Sequence, residues 1–274
     1  MPELPEVETV RKTLIELVKG KKIEKVSVFW PKIIKHPMEV DEFKTLLQGE
    51  TIETVHRRGK FLVFYTNHFA LVSHLRMEGR YGLYAPQLEL EPHTHVIFTF
   101  TDGTTLRYKD VRKFGTMHLF EKGEEESYLP LSQLGPEPFS KDFTTAYLKQ
   151  KLQKTERLIK AVLLDQKVVV GLGNIYVDEA LFRAGILPDR KAKSLKSSEV
   201  LKLHNEIIST LNEAVRQGGS TIRSYVNSQG QIGMFQQLLY VYGKKGEACK
   251  RCGSEIEKMV TAGRGTHYCK KCQK

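Results

Sequence analysis

Four cysteines, Cys249, Cys252, Cys269 and Cys272, stand as C-x2-C-x16-C-x2-C near the end of a 274-residue chain. Two short knuckles at that spacing deliver four thiolates tetrahedrally, the pattern of a structural zinc site. The basic neighbours Lys250, Arg251, Lys270 and Lys271 favour the thiolate form. Two disulfides would require an oxidising compartment, whereas iron accepts the same four sulfurs, so spacing alone leaves the metal open between zinc and iron. The segment carries few apolar residues (Ile256, Met259, Val260, Tyr268), so a bound metal must supply most of its folding free energy. Between the knuckles, Gly263-Arg264-Gly265 reads as the tip of a β-hairpin. Arg264 is there either a group presented outward on a rigid support or an ordinary solvated turn residue.

The opposite end of the chain holds a second set of reactive groups. Pro2 follows the initiator methionine, and removal of Met1 would leave a proline secondary amine. An α-amino group has a pKa of about 7.7–8, and a place at the positive end of a helix dipole lowers it further, favouring the free nucleophile. A secondary amine that attacks a sugar carbon can proceed to an iminium ion, which is cationic because nitrogen retains no proton to lose. Glu3 and Glu6 are placed to act as general acid and as orienting carboxylate. The same residues also start helices for capping reasons alone.

These groups need elements to hold them. Apolar residues at Leu4, Val7, Val10, Leu14, Leu17 and Val18 predict a helix from Pro5 to Lys19, closed by Gly20. Short β-branched and aromatic runs at 25–29, 61–65, 70–74 and 95–100 predict strands, with a hairpin turn at 101–104. Such a series argues for a β-sandwich with one N-terminal helix against it. Residues 121–143, with Glu124-Glu125-Glu126, Pro130, Gly135-Pro136 and Pro138, read as a linker. Helical periodicity follows at 144–166, 174–184 and 197–217, then a polar, Gly-rich stretch at 218–233. The fold class expected is α+β and multidomain. A β-sandwich domain spans 1–134, a helical domain 135–243 and a four-cysteine hairpin module 244–274.

Lys and Arg number 43 against 32 Asp and Glu, a net charge of +11. That surplus points to a polyanion, with nucleic acid the leading candidate. No run approaches the ~18 apolar residues of a membrane helix, and the acidic N-terminus lacks the order of a signal peptide, so a cytoplasmic protein is expected.

The segment Pro2-Glu3-Leu4-Pro5-Glu6-Val7-Glu8-Thr9-Val10 resembles the start of the bacterial formamidopyrimidine-DNA glycosylases, the 8-oxoguanine repair enzymes. Further segments resemble the family in family order: Arg57–Leu62, Ser73–Gly79, Asp110–Gly115, Gly171–Tyr176 and the four-cysteine module. The resemblance spans essentially the whole chain. It implies a bifunctional DNA glycosylase and abasic-site lyase, with one structural zinc, acting as a monomer on duplex DNA that carries an oxidised purine opposite cytosine.

By that resemblance Pro2 attacks C1′ of the damaged nucleotide, and the resulting Schiff base supports β- and δ-elimination. Glu3 protonates the sugar, Glu6 supports it, Lys60 is the acid of β-elimination, and Arg264 grips the phosphate in δ-elimination. Groups drawn from segments so far apart suit a cleft between domains. The lesion must leave the stack before attack, and Met77 matches the wedge that fills the vacated space. Arg112 matches the reader of the orphaned cytosine, and Phe114 a second wedge. Core packing for Met77 and Phe114, and a phosphate contact for Arg112, are the alternatives. His93 matches a family DNA-contact position, and His74, Lys154, Thr155 and Asn174 are further candidates for DNA contact, with Lys151–Lys160 a candidate phosphate surface. A merely solvated surface is the alternative for His74 and that stretch. A paired-histidine metal site at His93 and His95 is the weaker alternative. Gly171-Leu172-Gly173-Asn174 matches a helix–two-turn–helix motif, in which Asn174 is expected to cap the second helix. Ser220, Thr221, Ile222, Arg223, Ser224 and Tyr225 match the loop that closes over the everted base. The related endonuclease VIII family shares the last two modules but prefers oxidised pyrimidines, and the N-terminal motif and long loop favour the purine enzyme.

Overall fold

The computed structural model describes residues 1–220 and 233–274. It contains two compact units, Met1–Gln133 and Leu134–Ser220 with Met234–Lys274. The helical segment and the cysteine module, expected as separate domains, thus fall within one unit.

The first unit begins with helix α1 (Leu4–Val18), one residue earlier than the periodicity suggests, because Pro5 occupies a first-turn position where its missing N–H costs nothing. Nine strands and helix α2 (Val40–Leu47) follow: β1 (Ile23–Val28), β2 (Ile34–His36), β3 (Thr54–Arg58), β4 (Phe61–Tyr65), β5 (Phe69–His74), β6 (Arg80–Tyr84), β7 (Thr94–Phe100), β8 (Thr105–Lys109) and β9 (Thr116–Glu121). They form a four-stranded antiparallel sheet, β1-β7-β8-β6, and a five-stranded sheet, β2-β9-β5-β4-β3, in which only β2 runs parallel to its neighbour. One core joins both sheets to α1: Val7, Val10 and Leu14 pack with Phe98, Leu106 and Tyr108 from the first sheet and with Val55, Leu62 and Leu119 from the second. This is the β-sandwich with its N-terminal helix that the strand series implies.

The second unit carries α3 (Thr145–Gln153), α4 (Ile159–Leu164), α5 (Asn174–Ala184), α6 (Ser197–Arg216) and the hairpin β10 (Glu257–Thr261) and β11 (Arg264–Tyr268). The single helix expected over 144–166 is two helices. The break follows from competing hydrogen bonds. The Thr155 hydroxyl accepts from the Arg157 N–H at 3.2 Å. The Ile159 N–H turns to the Arg190 carbonyl at 2.7 Å rather than to the previous turn. Helix α5 is buried without interruption from Tyr176 to Ala184, so it is the axis of this unit rather than an amphipathic surface helix. Gly185, in the left-handed conformation at φ 78°, ends it, a role that suits the residue without a β-carbon.

Candidate active site and metal centre

Pro2 is buried directly ahead of α1. Glu3 and Glu6, also buried, stand together there, and the Glu6 Oε2 accepts the Glu3 backbone N–H at 2.8 Å. Glu6 thereby satisfies a donor that the helix leaves open and fixes the peptide next to Pro2.

Lys60 lies in the two-residue turn between β3 and β4, where Arg58 pairs with Phe61. Gly59, at φ 57°, supplies the positive φ that the first position of such a turn demands. Lys60 itself is buried.

His74 ends β5 with its ring edge-on to Phe61, 4.5 Å between centroids. It is buried, and its Nδ1 accepts the Arg76 N–H at 2.8 Å. That bond leaves Nε2 as the protonated nitrogen. Burial, reinforced by the charges of Arg76 and Lys60, lowers its pKa to about 3, because the charged form loses its hydration. His74 can therefore donate a neutral hydrogen bond but brings no positive charge to a phosphate near neutral pH.

Two loops of the first unit converge on one tyrosine. A β-carbon at Gly79 would lie 2.2 Å from the Tyr108 hydroxyl oxygen, and one at Gly115 only 1.8 Å from it. Both glycines are there because the loops carrying Met77 and Phe114 close over this buried ring. Met77 and Phe114 are 38% and 51% exposed, which removes core packing as their explanation. The second loop is folded around Asp110, whose buried carboxylate accepts the N–H groups of Arg112 at 3.0 Å and of Phe114 and Gly115 at 2.8 Å each. The exposed Arg112 guanidinium lies 4.8 Å from the Phe114 ring centroid. Lys113 turns instead to Trp30, its Nζ 4.2 Å from that ring, a cation–π contact. His93 is exposed and its carbonyl receives the Asp110 N–H at 3.0 Å, whereas the buried His95 turns its Nε2 to the Asp110 carbonyl at 2.8 Å. The His95 ring is thus committed to the loop, and among the described residues groups of three or more metal-ligating side chains gather only at the cysteines.

In the second unit Lys154 is exposed at the end of α3 and Thr155 is half-buried beside it. Lys160, expected on a phosphate-facing surface, is fully buried, and its Nζ lies 2.6 Å from Asp178 Oδ1. Asn174 is the first residue of α5 and not its cap, which is Gly173. Its Nδ2 donates to the Gly265 carbonyl at 2.9 Å, so its amide holds the hairpin instead. The second Asp178 oxygen accepts the His267 N–H at 2.9 Å. Helix α5 thereby grips β11 on either side of Thr266. The hairpin turn is Ala262-Gly263, both at positive φ, so Arg264 opens β11 opposite Thr261 and is exposed. Glu179, the next residue on α5, accepts the N–H groups of Tyr240, Val241 and Tyr242 at 2.9 Å each. Burial raises its pKa, against the opposing pull of those three donors. Ser220 is buried, while Thr221, Ile222, Arg223, Ser224 and Tyr225 lie outside the described residues.

The four cysteine sulfurs lie within 4.8 Å of one another. Cys249 and Cys272 are 3.9 Å apart and Cys252 and Cys269 3.5 Å. Both separations are far beyond the ~2.05 Å of a disulfide. Sulfurs ~2.3 Å from a tetrahedral centre are about 3.8 Å apart, so these four fit one zinc ion. The Arg251 backbone N–H donates to the Cys249 sulfur at 3.4 Å, but the Lys250 and Arg251 side chains turn away from the thiolates. Lys250 Nζ donates to the Leu239 carbonyl at 2.9 Å and Arg251 Nη1 to that of Phe182 at 3.0 Å, docking the first knuckle on α5 and the segment before it.

With this geometry in view, comparison with known proteins is decisive. The model of the formamidopyrimidine-DNA glycosylase N-terminal domain matches residues 1–117, that of the corresponding H2TH domain residues 134–226, and that of a zinc finger found in FPG and IleRS residues 246–274. The chain belongs to the formamidopyrimidine-DNA glycosylase family. It is 64% identical over its whole length, and the relative's, to the formamidopyrimidine-DNA glycosylase of Bacillus licheniformis. It is 63% identical to that of Bacillus subtilis, over all of this chain and 99% of the other. Among solved structures it is similar to a Lactococcus lactis FPG mutant in complex with a Fapy-dG-containing DNA (TM-score 0.94, 44% identity, all of both chains). It is likewise similar to the Lactococcus lactis enzyme in complex with an abasic-site-containing DNA (TM-score 0.93, 44% identity, 99% of both chains). Membership makes it an enzyme of DNA base-excision repair, a glycosylase with the lyase activity general to the family, carrying one structural zinc on Cys249, Cys252, Cys269 and Cys272. Among the described residues no helix is long and apolar enough to cross a membrane.

Tyr108, Asp110, Asp178, Glu179 and the contacts of Arg57 support the site in ways that residue type and spacing do not assign. Only Asp178-Glu179 leaves a signal: two adjacent carboxylates inside a mostly apolar helix must find partners within the protein.

Proposed function

We propose that this chain removes 8-oxoguanine and formamidopyrimidines lying opposite cytosine in duplex DNA, then cleaves the strand on both sides of the abasic sugar. The observation that carries the proposal is the buried group at the head of α1: Pro2, then Glu3, whose N–H is held by the Glu6 carboxylate at 2.8 Å. With Met1 attached, the Pro2 nitrogen is an amide whose lone pair is delocalised. Removal of Met1 turns it into a secondary amine at the positive end of a helix, where the neutral form is favoured.

In the proposed sequence that amine forms a bond to C1′ as the base leaves with the glycosidic electron pair, and the nitrogen's proton passes to the departing base. Glu3 protonates the opening sugar ring, with Glu6 holding its peptide in place. The resulting iminium acidifies the C2′ proton, and loss of that proton expels the 3′ phosphate, with Lys60 as the acid. A second elimination expels the 5′ phosphate, which Arg264 holds. Met77 and Phe114 occupy the vacated stack, and Arg112 hydrogen-bonds the orphaned cytosine. His74 donates one neutral hydrogen bond to a phosphate, and His93, Lys154, Thr155 and Asn174 contact the backbone. Ser220 opens the loop that closes over the everted base.

The net charge of +11 supports salt-sensitive contacts with DNA, and the proposed setting is the cytoplasm, where the chain acts as a monomer. The test is cleavage of duplexes bearing 8-oxoguanine or thymine glycol opposite each normal base. Faster excision of 8-oxoguanine opposite cytosine, with phosphates at both new ends, is expected. A preference for thymine glycol, or a single elimination, would refute the reading.

A further inference from the structure

Glu8 lies farther along α1 than Glu3 and Glu6, and no part of the proposed reaction uses it. Its carboxylate sits between two guanidinium groups. Arg11 approaches at 3.0 Å through Nε and 2.8 Å through Nη2, and Arg57 at 3.2 Å through Nε. Burial pushes the Glu8 pKa up, but the two guanidiniums more than reverse it, so the carboxylate stays ionised below its usual range. Arg57 does not end there. Its Nη1 donates to the Gly59 carbonyl at 2.8 Å, and that carbonyl belongs to the peptide joining Gly59 to Lys60. Arg11 adds a weaker tie from Nη1 to the Val55 carbonyl at 3.3 Å, at the other end of β3. One planar guanidinium thus bridges the helix that begins just after Pro2 and the turn that carries Lys60.

We propose that Glu8 and Arg57 form a positioning pair that sets Lys60 relative to the head of α1. The inference rests on the reading of Lys60 as the acid of β-elimination. Neither residue touches the reacting atoms. The α1 head acts in both steps, whereas Lys60 acts only in the elimination, and Arg57 holds the Lys60 turn through the Gly59 carbonyl, so loosening the bridge should slow the second step more than the first. Displacing a reacting group by about 1 Å can cost on the order of a hundredfold in rate.

The experiment compares base release from an 8-oxoguanine duplex with strand scission of a duplex carrying a preformed abasic site. The variants are Arg57→Ala, Arg57→Lys, Glu8→Gln and Lys60→Met. Arg57→Ala should reduce scission about tenfold or more while base release stays within about threefold. Arg57→Lys should not restore scission, because a single ammonium cannot serve both acceptors in the fork geometry. Glu8→Gln, which keeps the shape and loses the charge, should fall between Arg57→Ala and the native protein. Lys60→Met separates the two levels of the argument. If Lys60→Met cuts abasic DNA normally, the reading of Lys60 fails and the positioning role falls with it. If Lys60→Met is defective but both Arg57 variants cut normally, the positioning role alone is overturned. A parallel loss of both steps in Arg57→Ala, tracking a lowered melting temperature, would also overturn it by reducing the bridge to a fold contact.

Discussion

The pair formed by Lys160 and Asp178 gives the sharpest energetic test of how the second unit supports Arg264. Both side chains are fully buried at 2.6 Å, and the other Asp178 oxygen receives the His267 N–H at 2.9 Å. Asp178→Leu would leave the Lys160 ammonium without its anion and the His267 N–H without its acceptor. Removing one partner of a buried pair costs about 3–5 kcal/mol, and a stranded N–H about 1–3 kcal/mol. The two losses overlap because the hairpin can shift to relieve both, so roughly 4 kcal/mol is expected, a fall in melting temperature on the order of 10–20 °C. Replacing both charges, as in Lys160→Met with Asp178→Leu, should recover most of that loss, because apolar residues of similar volume often substitute for a buried pair at little cost. Thermal melts of the zinc-loaded protein, read together with zinc retention and affinity for abasic-site DNA, measure the effect. A single variant that loses less than about 1 kcal/mol, or a double variant no better than the single, would refute the reasoning.

Other consequences are open to the same kind of measurement. Chelating the zinc should abolish DNA binding and strand cleavage while the β-sheet circular dichroism of the first unit persists, and chelated protein that still cuts damaged duplex would count against a hairpin built on the metal. Asp110→Ala removes the acceptor of three loop N–H groups. Discrimination for cytosine over other opposite bases should then relax by about 1–3 kcal/mol, read as excision rates against the four partners. His74 has a folded pKa of about 3, beneath the ordinary histidine value, so the unfolded chain takes up its proton first. Its contribution to stability is complete above about pH 6.5 and is lost as pH falls, on the order of 1 kcal/mol per pH unit, and His74→Gln should flatten that slope in melts between about pH 7 and pH 4. His118, lowered to about 4 chiefly by burial, adds to the slope in the same direction and remains in the variant.

What could be read in the sequence was whatever local chemistry fixes. Helix α5 runs over 174–184 as its periodicity implies, and β4 over 61–65, because burial pattern and boundaries agree there. The cysteine cluster was legible from spacing, since knuckle geometry depends on residues a few positions apart. The break between α3 and α4 was not legible, because one of its two causes, the Arg190 carbonyl, lies far along the chain. Asn174 illustrates the same limit: its type suits a helix cap, yet the Gly265 carbonyl claims its amide. Lys160 reads as one more surface cation in a basic stretch, because the Asp178 that faces it lies 18 positions along the chain. The roles of Arg57, Asp110 and Tyr108 were invisible for a related reason. Each acts by holding a loop whose functional side chain belongs to another residue; Arg57 and Asp110 open segments that resemble the family, but residue type and spacing do not tell which neighbour they hold.

The central claim is that a proline amine at the head of α1 attacks the sugar. Borohydride added to the mature protein and an 8-oxoguanine:cytosine duplex should trap a covalent adduct, and peptide mapping should place it on Pro2 with Met1 absent. An adduct on a lysine, or none from protein that still releases the base, would contradict it.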